Sequence, residues 1–96
     1  MPKSNEVSLK DALREMLEKL HLKPKLYQNK IEQIWLEKMG TTIAQRTTDI
    51  QLRGSKLYLT VDSSSLRQEL SYSRAKIAEM LNAELGEAYI DDVIVR

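Results

Sequence analysis

Residues 47–70 read TTDIQLRGSKLYLTVDSSSLRQEL, and within this stretch the apolar spacing changes its period. Ile50 and Leu52 alternate with Asp49, Gln51 and Arg53. After Gly54-Ser55, Leu57, Leu59 and Val61 alternate with Lys56, Tyr58, Thr60 and Asp62. Period-two alternation on both sides of a glycine-containing turn predicts a hairpin of two half-buried strands. From Leu66 the period becomes helical, and Ser63, Ser64 or Ser65 supplies the N-cap; Ser65 has Gln68 three residues on, the capping-box spacing. The stretch therefore predicts a hairpin feeding a helix, with the rest of the chain packed on it.

Downstream, Leu66, Leu70, Ile77, Leu81 and Leu85 recur at helical intervals, which predicts one long helix stopped by Gly86. Val93-Ile94-Val95 then reads as a last strand. Upstream, Ser8 with Asp11 three residues later opens a helix whose stripe is Leu9, Leu13, Met16, Leu17 and Leu20. That helix should end near Leu22 or Lys23, ahead of Pro24, which suits the first turn of a second helix. The second stripe is Tyr27, Ile31, Ile34 and Trp35, and Gly40 is the expected stop. Thr41 to Arg46 is read as a connector with one helical turn at Ile43-Ala44.

The order helix-helix-strand-strand-helix-strand predicts an α+β two-layer domain over residues 8–96, with residues 1–7 as a disordered tail. We expect the last strand to lie beside the first, making the three-stranded sheet all antiparallel. A place beside the second strand would need a crossover.

The 96 residues are enough for one domain, and their net charge is +1 (15 basic minus 14 acidic). Without cysteine there is no disulfide framework and no thiolate chemistry. No apolar run is long enough to span a bilayer and no signal peptide is evident, so the expected location is the cytoplasm. Charge is uneven: residues 23–46 carry five basic and two acidic groups, a balance of +3, and residues 87–96 carry −2.

Catalytic patterns are missing. His21 is the single histidine and sits at a helix end, the serine run lies where a helix needs a cap, and Asp91 and Asp92 are neighbours pointing apart on a strand. The three glycines are all occupied as turns or stops, so no phosphate-cradling loop remains. We expect no enzyme activity, no cofactor, no metal, no small-molecule substrate and no membrane partner. Trp35 reads as a core residue. The binding candidates are basic: Lys23, Lys25 and Lys30 near the helix-helix turn, Arg46 before the hairpin, Arg53 and Lys56 beside its turn, and Arg67, Arg74 and Lys76 on the third helix. Together they would contact phosphates. Tyr58 and Tyr72 are candidates for stacking or partner contact, with Leu66 beside them.

Trp35 followed by Gly40, Ile43-Ala44, Thr47, the hairpin Leu52–Val61, Ser63-Ser64 and Glu69-Leu70 resemble the DciA-like family of small bacterial proteins. The resemblance spans about Leu9 to Arg96. It implies a fold similar to the KH domain, with helices on one side of a three-stranded sheet. It also implies a role in DNA replication, as an adaptor that engages the replicative helicase and DNA; the near-neutral charge of this chain points to weak DNA contact. Members often carry an aromatic residue at the position of Leu66 and a basic extension beyond the last strand; neither is present here. The Gly-x-x-Gly loop of nucleic-acid-binding KH domains is also absent. Two alternatives stand beside the adaptor reading: a stand-alone single-strand RNA- or DNA-binding module, and a structural interaction domain using a sheet edge.

Overall fold

In the computed structural model, residues 8–96 are described in full and residues 2–7 by backbone path alone. The tail expected at residues 1–7 falls outside the fully described part. The elements are α1 (Pro2–Lys19), α2 (Lys23–Arg46), β1 (Thr47–Arg53), β2 (Lys56–Val61), α3 (Ser64–Tyr72), α4 (Arg74–Leu85) and β3 (Asp92–Val95). The expected α+β order holds.

The hairpin forms where the alternation places it. β1 and β2 pair antiparallel from Arg53↔Lys56 to Thr47↔Val61, with an irregularity between Thr47 and Asp49. The strand order is corrected: the sheet runs β1-β2-β3, and β3 lies parallel to β2. The reason lies in the crossover. α3 and α4 carry the chain back along the sheet, so β3 starts at the same end as β2, and Val93 drops into the core beside Leu57.

The third helix is also corrected, because it is two. Its stripe has a gap between Leu70 and Ile77, filled by Ser73 and Arg74, and the break falls there. Ser73 N–H bonds to the Leu70 carbonyl only three residues back, which ends α3. The kink lets Leu70 and the Ile77, Leu81, Leu85 row both reach one core. Ser63 caps α3 by accepting a hydrogen bond from the Leu66 N–H at 3.4 Å.

Gly40 interrupts α2 as expected, but the chain resumes helical geometry from Thr41 to Arg46. Its φ of 84° and ψ of 170° lie in a region essentially reserved for glycine. The turn this makes lets the Thr47 hydroxyl accept the Trp35 indole N–H at 3.0 Å while donating to the Ile43 carbonyl at 2.9 Å. Trp35 is the largest fully buried side chain. With Tyr27, Ile31, Leu57, Leu59, Val61, Leu81 and Val93, it fills the space between the helices and one face of the sheet.

α1 departs from expectation. It begins ahead of Ser8 and ends at Lys19, where His21 takes the left-handed conformation (φ 55°) usually given to glycine. Leu22 N–H bonds to the Leu17 carbonyl and His21 N–H to the Glu18 carbonyl, the paired bonds of a Schellman stop. The apolar stripe does not pack on the hairpin: Leu9, Leu13, Met16 and Leu20 are 62, 47, 48 and 57% exposed. The radius of gyration is 15.4 Å, against about 13 Å for a compact chain of this length.

Candidate functional site

Register decides what each face of the sheet shows. Leu57, Leu59 and Val61 of β2 point to the helices, so Lys56, Tyr58 and Thr60 point away. Tyr58 pairs with Gln51 on one side and Ile94 on the other; Lys56 pairs with Arg53 and Asp92. Tyr58 thus stands at the middle of the open face. The Arg96 guanidinium lies 4.8 Å from its ring centroid and that of Arg53 5.5 Å, both within cation–π range. Arg53 is also oriented by donating to the Gln51 side chain at 2.8 Å. The open face joins one half-buried aromatic ring to three cationic side chains, Arg53, Lys56 and Arg96, with Asp49 and Asp92 at its margins. Arg96 was not among the sequence candidates. The ladder continuing past Val95 places it on this face: Arg96 N–H bonds to the Leu59 carbonyl, and its own carbonyl accepts from Val61 N–H.

The other basic candidates disperse. Lys23 is bound to Glu87 at 3.0 Å and to Glu18 at 3.4 Å, and its ammonium lies over the Tyr27 and Tyr89 rings. The Glu87 contact raises its pKa. Tyr27 donates its hydroxyl to Glu87 at 2.5 Å and meets Tyr89 edge-on at 4.8 Å. That hydrogen bond, reinforced by Lys23, holds Glu87 below the usual carboxylate range, and burial pushes the Tyr27 hydroxyl up. Lys23 therefore clasps α2 to the segment after α4. Arg67 donates to the Val61 carbonyl at 2.7 Å and closes the end of β2. Arg46 faces Asp62 at 3.8 Å. Lys25 and Lys30 are exposed on the first turns of α2, in the layer behind the sheet, and Lys76 is exposed on α4.

Leu66 is half-buried against the core. Tyr72, 80% exposed, and Arg74 stand at the α3–α4 joint, on the lip of a groove of about 300 Å³ whose other wall is Asp91, Asp92 and Val93. Asp91 accepts from the Ser55 hydroxyl at 2.7 Å. The two carboxylates on that wall oppose a phosphate chain, so the groove is the poorer of the two surfaces for nucleic acid.

The β1 edge of the sheet carries a side-chain plug. Gln28 of α2 donates to the Ile50 carbonyl and accepts from the Leu52 N–H, taking the place of a neighbouring strand on β1. On β3, the Asp92 carboxylate accepts the Val93 N–H at 2.9 Å. A plugged β1 edge resists pairing with another strand, which weighs against the sheet-edge alternative on that side.

A family model described as "Dna[CI] antecedent, DciA" matches residues 8–95. The chain belongs to the DciA family. This is a replication-related family, and the match takes in the described part of α1 as well as the sheet and its helices. No curated protein and no solved structure matches the chain. The residues that carried the DciA resemblance have structural duties. Trp35, Ile43 and Thr47 form one hydrogen-bonded chain, Gly40 makes the turn that closes it, and Ser63 is a cap. No helix of the described residues is long and apolar enough to cross a membrane.

Proposed function

We propose that this DciA-family chain is a non-enzymatic adaptor in bacterial DNA replication, working in the cytoplasm. It engages the replicative helicase and contacts DNA weakly. The family match over residues 8–95 carries the reading. The test is co-sedimentation of the purified chain with its host's replicative helicase. Stable association at micromolar concentration is expected, and none would remove the adaptor role.

The DNA contact is assigned to the open face of the sheet. Two guanidinium groups within cation–π range of the Tyr58 ring, with Lys56 beside them, suit the phosphates of a single strand and bases stacked on the guanidinium planes. The same feature favours the second reading, a stand-alone single-strand binding module. Fluorescence anisotropy with a labelled single-stranded oligonucleotide separates the two. The adaptor alone should bind weakly, and more weakly as salt rises. R53A/K56A should reduce what binding there is, since both residues flank an exposed turn. Tight binding without helicase would favour the stand-alone module.

A further inference from the structure

The exposed stripe of α1 follows a seven-residue repeat. Leu9, Leu13, Met16 and Leu20 are spaced 4-3-4, which keeps all four on one narrow line of the helix. None belongs to the core. At about 100° per residue, Lys10 and Lys19 border the line, about 90° to either side of its centre, while Arg14 and Glu15 both lie about 130° away. Arg14 is turned away from the stripe, close enough to Glu87 to help lower its pKa. Asp11 and Glu18 occupy the far face, and all six charged side chains are exposed.

We propose that α1 is a docking helix that lays Leu9, Leu13, Met16 and Leu20 into an apolar groove with an acidic rim on a partner protein. The inference deepens the adaptor reading and rests on it. Charge complementarity sets the partner's chemistry, because a groove walls the stripe on both sides and its rims meet Lys10 and Lys19. A second copy fits poorly. Two such stripes face to face would bring the Lys10 and Lys19 borders of the two copies together. An anionic bilayer also fits poorly, because three carboxylates lie on the polar face and the stripe has no aromatic residue.

The experiment titrates the full chain onto the host's replicative helicase and compares three variants. L13Q/L20Q removes two anchors while keeping good helix formers. K10E/K19E reverses both borders. L13M/L20M keeps the stripe apolar. The Gln pair should bind at least about ten-fold more weakly, and the Glu pair several-fold more weakly. The Met pair should bind like wild type, and the melting temperature of all three should stay within a degree or two.

Gln-pair binding within about two-fold of wild type would overturn the docking role of α1 and leave the adaptor reading standing. No binding by the wild-type chain removes both. A large drop in the melting temperature of the Gln pair would make the stripe internal structure and overturn the inference. So would a wild-type dimer that this pair dissolves, or wild-type binding to phosphatidylglycerol vesicles that it abolishes.

Discussion

The first two helices carry apolar stripes of similar quality and meet opposite fates. Along α2, Tyr27, Ile31 and Trp35 are 7, 0 and 1% exposed; along α1 the stripe stands in solvent. The difference lies in polar attachments. α2 is tied to the rest of the chain at several points: Lys23 and Tyr27 to Glu87, Gln28 to the backbone of β1, Trp35 to Thr47, and Lys38 to Glu84. Among the described residues, the hydrogen bonds and ion pairs of α1 are local, through the His21 turn and the Glu18–Lys23 pair. An amphipathic pattern says which face of a helix avoids water. The polar residues interleaved with it decide whether that face closes within the chain.

The contrast can be broken most forcefully at Trp35. W35A leaves a cavity at the centre of the core and removes the partner of the Thr47 hydroxyl, at a cost of about 3–5 kcal/mol in denaturant unfolding. L13A should stay within about 0.5 kcal/mol, as expected of a surface site. Equal losses from the two would erase the distinction between the helices.

Next in size is Gly40. A Cβ there meets nothing within 4 Å, so any effect of G40A comes from backbone conformation alone. The expected loss is about 1–3 kcal/mol, read from the thermal or denaturant midpoint. A neutral result would mean that the Trp35–Thr47 closure does not depend on this turn.

The smallest effect sharpens the Tyr27 clasp. Glu87 titrates lower in the folded chain than in the unfolded one, so its contribution is present above the unfolded pKa near 4.5 and is lost as pH falls through the lower folded value. Wild type should therefore lose stability on acidification below about pH 4.5. E87Q should be less stable at neutral pH and show a shallower slope in that acid window. Parallel pH profiles for the two proteins would detach Glu87 from the clasp.

The hairpin, the turn at Gly54, the burial of Trp35 and the exposure of Arg53 and Lys56 were all legible in the sequence, because each follows from local period or turn chemistry. Partners were not. Arg67 and Lys23 look like free cations until the fold brings up the Val61 carbonyl and Glu87. Gln28 reads as an unremarkable helix-surface residue, yet it closes a sheet edge twenty-odd residues away. The side of the hairpin that β3 joins was equally hidden, since Val93-Ile94-Val95 would suit either neighbour. The Ser73 break left a readable trace in the apolar gap after Leu70.

The parallel pairing of β3 with β2 also bears on how the domain assembles. β1 and β2 meet across a two-residue turn and can zip early, whereas Leu57 and Val93 must close a loop of more than thirty residues. That closure gains little until α3 and α4 have condensed on the hairpin. The chain therefore has a fast half and a slow half. The slow half adds the last strand, and with it Arg96, completing the cationic surround of Tyr58.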